Sequence, residues 1–347
     1  MRWRSLTLLA IPASGLAAWT AAPPLVTFTL ACLAVLPLAG LLGEATEHLA
    51  GHTGPALGGL LNATFGNAAE LIIAGVALQQ GLTELVKASI TGSILGNLLL
   101  ILGLALVAGG TRHPTLTFNR TAASASAGML ALAVAGLVFP AIFHHLHPVG
   151  SEGTEFRMAL AVGAILLVTY AASLLFSLRT HRRLLGGEPH PVEAAPWPVR
   201  RAIGVLALAT LGVAFESELL VHAVEGVTAS LGWSETFLGL IIVPFIGNAA
   251  EHATAVTVAR KGKTDLALQI ALGSSTQVAL LVAPLLVLGS LFLGHPLNLA
   301  FTTFEVAALA LATLSIALAV QDGESNWFEG VQLVALYLMI AIGACFL

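Results

Sequence analysis

Gly66-Asn67-Ala68-Ala69-Glu70 occurs a second time, as Gly247-Asn248-Ala249-Ala250-Glu251, 181 residues further along the chain. At that fixed offset, with no gap, Ala74 meets Ala255, Gly81 meets Gly262, Thr83 meets Thr264 and Leu85 meets Leu266. Gly92-Ser93 then meets Gly273-Ser274, and Leu99, Leu100 and Leu104 meet Leu280, Leu281 and Leu285, giving 14 identities over the 41 positions from Gly66 to Leu106. A repeat this long in an apolar chain marks two halves of one device, a construction common among secondary transporters. Each copy also sets an acid within an apolar stretch. A carboxylate inside a bilayer costs enough to be read as functional.

Composition supports a bilayer setting. The 347 residues are 57% hydrophobic and only 9% charged, with a mean hydropathy of +0.92; a soluble domain carries about 25% charged residues. These values predict an all-α polytopic membrane protein with the lipid bilayer as its main partner. A net charge of −4 excludes a nucleic-acid partner. Cys32 and Cys345 each stand alone in an apolar run, so neither a disulfide framework nor a zinc site is expected. No HExxH or comparable nucleophile–base motif is present, which sets an intramembrane metalloenzyme aside.

A crossing helix needs about 20 apolar residues. Eleven candidates are read near 5–21, 24–50, 55–80, 84–110, 117–139, 156–180, 200–230, 235–260, 264–293, 298–320 and 326–346. The first follows Arg2 and Arg4 and resembles a signal peptide, but it is read as an extra first span over 1–23. With the N-terminus in the cytoplasm and the spans alternating, 12 of the 14 Lys and Arg residues lie inside; only Lys87 and Arg157 lie outside. The first repeat then occupies 24–180, the second 200–347, and a cytoplasmic surface linker 181–199 joins them. Five spans separate the two repeat starts, an odd number, so the two five-helix repeats are inverted. Inverted repeats bring equivalent motifs together at the bilayer midplane, where Glu70 and Glu251 should face each other.

No basic residue lies near either glutamate in sequence, so two facing carboxylates require a bound cation or protons. Carboxylate, amide and hydroxyl oxygens suit a hard cation such as Ca²⁺, which takes six to eight of them. Asn67 and Asn248 precede the glutamates by three residues, on the same helical face. Ser93 and Ser274 follow on the next span of each half, and Thr64, Ser275, Asn97 and Gln277 are further possible ligands. For these last four, interhelical hydrogen bonding is an equal alternative. Gly66, Gly92, Gly247 and Gly273 flank the polar positions, while Pro244 and Pro284 interrupt their spans, allowing close helix approach or exposed carbonyls. Glu44 and Glu47 at the inner end of the second span, and Glu216, Glu218 and Glu225 on the seventh, are read as lining access routes or as solvated ends. Glu152, Glu155, Glu235, Asp322, Glu324 and Glu329 read as loop charges, and His144, His145 and His147 as a solvated outer loop. His252 adjoins Glu251 on a different helical face, a position suited to tuning access or protonation.

The stretches LLGEATEHLAGHTGPALGGLLNATFGNAAELI (41–72) and GLIIVPFIGNAAEHATAV (239–256), the latter followed by DLALQIALGSSTQVALLVAPLLVL (265–288), resemble the two signature regions of CAX-type Ca²⁺/H⁺ antiporters. These belong to the cation/Ca²⁺ exchanger superfamily. The resemblance implies a ten-helix core of two inverted five-helix bundles after an extra helix, with Glu70 and Glu251 as the essential acids and His252 following the second. It implies Ca²⁺ and H⁺ as transported substrates, no cofactor, and, in a prokaryote, the plasma membrane. Two departures stand out. The family's first acidic element often reads ATEEL, where this chain has Ala45-Thr46-Glu47-His48-Leu49. The linker is short and carries only Glu188 and Glu193, where relatives commonly have a longer acidic helix.

The expected mechanism is alternating access at one site. Two close, half-desolvated carboxylates repel, so protons can hold the site until a divalent cation displaces them. Na⁺-driven exchange, or exchange of other divalent cations such as Mn²⁺ or Cd²⁺, is the nearest alternative. A passive cation channel is a remoter one.

Overall fold

The computed structural model describes residues 7–53, 55–146, 152–180 and 197–347. In chain order the helices are α1 (Ala10–Trp19), α2 (Pro24–Thr53), α3 (Pro55–Phe65), α4 (Ala68–Gln79) and α5 (Thr83–Gly110). They continue with α6 (Arg120–Leu146), α7 (Gly153–Leu175), α8 (Val199–Leu231), α9 (Glu235–Gly247) and α10 (Ala249–Arg260). The last are α11 (Thr264–Leu293), α12 (Thr303–Ala319) and α13 (Trp327–Cys345). Among the described residues the one sheet is a two-residue antiparallel pair, β1 (Leu116–Thr117) with β2 (Glu324–Ser325). The chain is therefore an all-α, multi-pass membrane protein.

Seven of these helices are long and apolar enough to cross a bilayer, and the pair α9–α10, bent by 62° at Asn248, makes an eighth. The other expected spans fall on shorter helices: α1 with 10 residues, α12 with 17, and the α3–α4 pair with 11 and 12. Most of the linker, residues 181–196, lies outside the described residues, as do Arg2, Arg4 and His147.

The sequence repeat is also a repeat of backbone. The offset of 181 carries α4 onto α10 end to end, and it carries the start of α5 onto the start of α11. It places the break at Asn67 on the break at Asn248. Gly81 and Gly262 end α4 and α10 in the left-handed region, at φ 79° and 76°, where a Cβ would be strained. Both central helices contain a π-turn, Gly96–Ile101 in α5 and Val278–Val282 in α11, and α9 has a third at Leu238–Ile242. Pro244 and Pro284 follow closely after two of these turns. A widened turn removes the clash of a proline ring with the carbonyl four residues back, so both spans keep their course.

Loops expected on one side of the bilayer meet one another. On the expected inner side β1 pairs with β2, the Asn119 amide donates to Asp265 Oδ1 at 2.6 Å, and His113 lies beside Gly262. On the expected outer side His295 lies beside Gly81, and Pro24 beside Gly226. Lys87, counted on the outer side, is buried; its ammonium donates to Ala300 O at 2.9 Å and pairs with Glu84 at 2.7 Å. The expected histidine loop keeps its exposure at His144 and His145 but is helical there. His144 and His145 sit in the last turn of α6, and Glu155, read as a loop charge, is buried on α7. Its carboxylate meets His144 Nδ1 at 2.8 Å and accepts from Asn298 Nδ2 at 3.0 Å.

At the centre lies α5, buried without interruption from Leu85 to Leu99. Glycine permits that closeness. A Cβ at Gly92 would overlap the Leu240 carbonyl and come within 2.7 Å of Pro244 Cγ, so α5 touches the backbone of α9 there. At the equivalent Gly273 nothing lies within 4 Å, and the tight approach belongs to one half only. Gly92→Ala is therefore expected to cost about 1–3 kcal/mol by overpacking, whereas Gly273→Ala is expected to be near neutral. Thermal unfolding of the two variants in detergent checks the contrast.

Candidate ion-binding site

Each GNAAE motif stands where a span is interrupted. Asn67 separates α3 from α4 and Asn248 separates α9 from α10, each with non-helical backbone (φ −97° and −93°). The glutamates fall in the first turn of the helix that follows, Glu70 on α4 and Glu251 on α10. Helix N-termini carry unsatisfied N–H groups and a positive partial charge, which favours a carboxylate there. The three-residue spacing suggests Asn and Glu on one face of a continuous helix, and the break corrects this. Each Asn sits at the head of the helix that bears its Glu.

The two motifs then reach across to each other. A Cβ at Gly247 would lie 3.5 Å from Glu70 Cγ, and a Cβ at Gly66 would lie 3.7 Å from Glu251 Oε1. These contacts are images of one another under the 181-residue offset. Reciprocal contact of this kind is the signature of a two-fold relation between halves. Ser275 Oγ lies 3.5 Å from Ile94 O, and these residues are also 181 apart, so the pseudo-two-fold axis runs through that contact. Glu70 is 6% exposed, Glu251 is half-buried, and the two carboxylates are close enough to repel. Each acid thus lies in van der Waals range of the glycine that opens the opposite motif.

The polar residues around the pair connect the halves. Asn67 Nδ2 donates to Gln277 Oε1 at 2.7 Å, and Asn248 Nδ2 to Ser93 Oγ at 3.3 Å and Pro244 O at 3.1 Å. Ser274 is hydrogen-bonded to Glu251 and accepts from Asn97 Nδ2 at 3.0 Å. The Asn97 amide oxygen meets His252 Nε2 at 3.2 Å. A circuit Glu251–Ser274–Asn97–His252 thus closes on two adjacent residues, although their side chains leave α10 in different directions. Glu70 Oε2, Glu251 Oε2 and Asn248 Oδ1 are buried oxygens with no hydrogen-bond donor. Acceptor oxygens left without donors are what a cation or added protons would satisfy.

The structure brings Glu70, Glu251, Asn67, Asn248, Ser93, Ser274, Asn97, Gln277 and His252 into this one cluster. Ser275 is buried but donates to Ala271 O at 2.8 Å and serves the helix contact on the axis. Thr64 is not gathered in: it is exposed and its hydroxyl donates to Leu60 O at 2.9 Å. Glu47 and Glu218 are exposed and Glu44 is half-buried, as an access route or a solvated end would have them. Glu216 is different. Grouped by sequence with Glu218 and Glu225 as an access-route acid, it is fully buried against α1. Glu305 escapes the sequence reading altogether. It is 1% exposed, closes a capping box with Thr302 and accepts from Thr91 Oγ1 at 3.3 Å. The Thr302-x-x-Glu305 spacing ahead of an apolar run is the signal that marks it. Among the described residues no three His, Cys, Asp or Glu side chains cluster as a metal site, so the oxygens of amides and hydroxyls must complete any coordination.

The model of the sodium/calcium exchanger protein family matches residues 23–179 and again 201–346. A Ca²⁺/H⁺ antiporter of Aphanothece halophytica is 44% identical over 98% of this chain and 95% of its own. The Ca²⁺/H⁺ antiporter ChaA of Bacillus subtilis is 43% identical, over 92% of each. Among solved structures, native YfkE superposes with a TM-score of 0.87 at 39% identity, covering 99% of this chain and 100% of its own. With two family matches, one to each half of the repeat, and relatives that run its full length, the chain belongs to the sodium/calcium exchanger family.

Proposed function

We propose that this protein is a secondary active transporter that exchanges Ca²⁺ for H⁺ by alternating access, with Glu70 and Glu251 binding the cation and the protons in turn. The observation that carries this reading is the reciprocal placement of two acids with donor-free buried oxygens. No basic side chain is ion-paired with either among the described residues. Two carboxylates supply the charge to balance a divalent cation. Amide and hydroxyl oxygens from Asn67, Asn248, Ser93 and Ser274 supply the remaining hard ligands. Without the cation the same carboxylates repel across a desolvated gap, and protons relieve that repulsion. One site that cannot hold both substrates together makes their fluxes obligatorily coupled.

The moving part in this reading is the long pair α2 and α8, which pack along each other and flank α4, while α5 and α11 form the fixed centre. The two halves, 24–180 and 200–347, would each contribute one acid and one long helix. The membrane would be the plasma membrane of a prokaryotic cell, with the N-terminus inside and Ca²⁺ leaving as protons enter. The names of the relatives favour protons over Na⁺ as the driving ion.

Uphill ⁴⁵Ca²⁺ uptake into proteoliposomes with an imposed pH gradient tests the reading. Wild type is expected to accumulate Ca²⁺ and to stop when a protonophore is added, and Glu70→Gln and Glu251→Gln are each expected to abolish uptake. Full activity in either variant would remove the paired site, and uptake driven by Na⁺ with no pH gradient would move the protein to Na⁺-coupled exchange.

Competition fixes the sign of the pH dependence. Protons occupy the site at low pH, so raising the pH on the Ca²⁺-loading side should lower the Ca²⁺ concentration for half-maximal uptake, by at most about tenfold per pH unit for each proton displaced. Ser274→Ala removes the hydroxyl between Glu251 and Asn97 and leaves the Asn97 amide without its acceptor. A loss of about 1–2 kcal/mol is expected, read as a roughly tenfold rise in that half-maximal concentration with the pH dependence retained.

A further inference from the structure

Glu216 is a buried acid that the exchange mechanism does not use. It lies midway along α8, and both it and Ser14 of α1 are 0% exposed. Ser14 Oγ is 2.8 Å from Glu216 Oε1 and 2.7 Å from Ile11 O. A serine hydroxyl has one hydrogen, and a backbone carbonyl has none to give. If the serine proton points to Ile11 O, the short contact to Glu216 needs a proton from the carboxyl. If it points to Glu216 instead, the Ile11 contact has no hydrogen, and Glu216 Oε2 still lacks any donor. A neutral carboxyl supplies the missing hydrogen, and an ionised one cannot.

Among the described residues the surroundings offer no counter-charge. The described part of α1 and the residues before it, 7–19, hold no titratable side chain. On α2, which packs antiparallel to α8 with Leu38 against Gly212 and Pro24 against Gly226, that register sets Ala34 opposite Glu216. The nearest titratable group on α2 is Cys32, and Glu44, Glu47, His48 and His52 lie at its far inner end. On α8 itself Glu218, His222 and Glu225 are exposed, and Arg200 and Arg201 are at the N-terminus. From α4 comes Glu70, already engaged at Gly247 and Glu251, and from α9 comes Glu235 at its outer start. Ser14 is the one side chain hydrogen-bonded to the Glu216 carboxyl among the described residues.

We propose that Glu216 is a second proton-binding site, separate from the Glu70–Glu251 pair, whose bound proton clasps α1 to α8. An isolated carboxylate cannot remain in so dry a seam, so loss of the proton must be accompanied by opening of the seam and entry of water. The clasp then joins the pH of the medium to the docking of the first helix, whichever cation the exchanger carries.

The test is maleimide labelling of Ala17→Cys, a buried position one turn from Ser14, in a full-length chain whose Cys32 and Cys345 are replaced by Ala and Ser. It is carried out with and without Glu216→Gln, which keeps the shape and a hydrogen-bond donor but cannot ionise. At low pH the two chains should label equally slowly. As the pH rises, the chain that retains Glu216 should come to label at least tenfold faster than the Glu216→Gln chain, a comparison that cancels the thiol's own titration. Equal labelling at every pH would overturn the proposal. Infrared spectra provide the second reading: Ser14→Ala should shift a protonated-carboxyl C=O band that Glu216→Gln abolishes. A Ser14→Ala effect confined to the carboxylate bands would overturn it as well.

Discussion

Two facing carboxylates, one buried and one half-buried, each with a buried oxygen that has no donor and with no basic side chain ion-paired to either among the described residues, set the terms for the rest of this structure. Each would be a liability alone. Brought face to face they are worse, unless a divalent cation or protons join them. The fold is arranged to hold them in that condition. Both spans break at an asparagine so that a helix N-terminus lies beneath each acid, and glycine faces each acid from the opposite half. The two-fold relation makes this economical, since one motif written twice builds both walls of the site.

The symmetry is broken where the chemistry requires a difference. Ser93 and Ser274 are equivalent by offset, yet Ser93 accepts from Asn248 while Ser274 serves Glu251 and Asn97. Asn97 has Val278 as its counterpart, and Gln277 has Gly96, so each half carries one amide that the other lacks. The result is a site with two similar acids in unlike hydrogen-bond settings. Both acids have a facing glycine and a donor-free Oε2, but Glu251 alone is tied through Ser274 to Asn97 and His252. Unlike settings let two acids release protons in sequence rather than together.

Much of this is legible in the sequence, because the governing signals are local and repeated. The offset of 181 identifies the acids, the asparagines and the serines, and intramembrane charge is rare enough to point to function by itself. What stays hidden depends on facing that no periodicity encodes. The break at Asn67 turns a supposed helix face into a helix cap, and Thr64, three positions before that break, is left outside the site. Glu155 and Lys87 lie near apolar boundaries, but loops fold back over them and bury both.

Glu216 shows the limit most clearly. In sequence it is one of three acids within ten positions, and alternation around a helix gives Glu216 and Glu218 different faces without saying what each face meets. The answer comes from α1, the helix that precedes both family matches, whose Ser14 fills the seam beside Glu216. An appended helix that merely lengthened the bundle would present apolar residues to α8. A serine aimed at a buried acid instead gives this helix a polar attachment, and so, in the proposed reading, a reason for its docking to respond to protons separately from the Glu70–Glu251 pair.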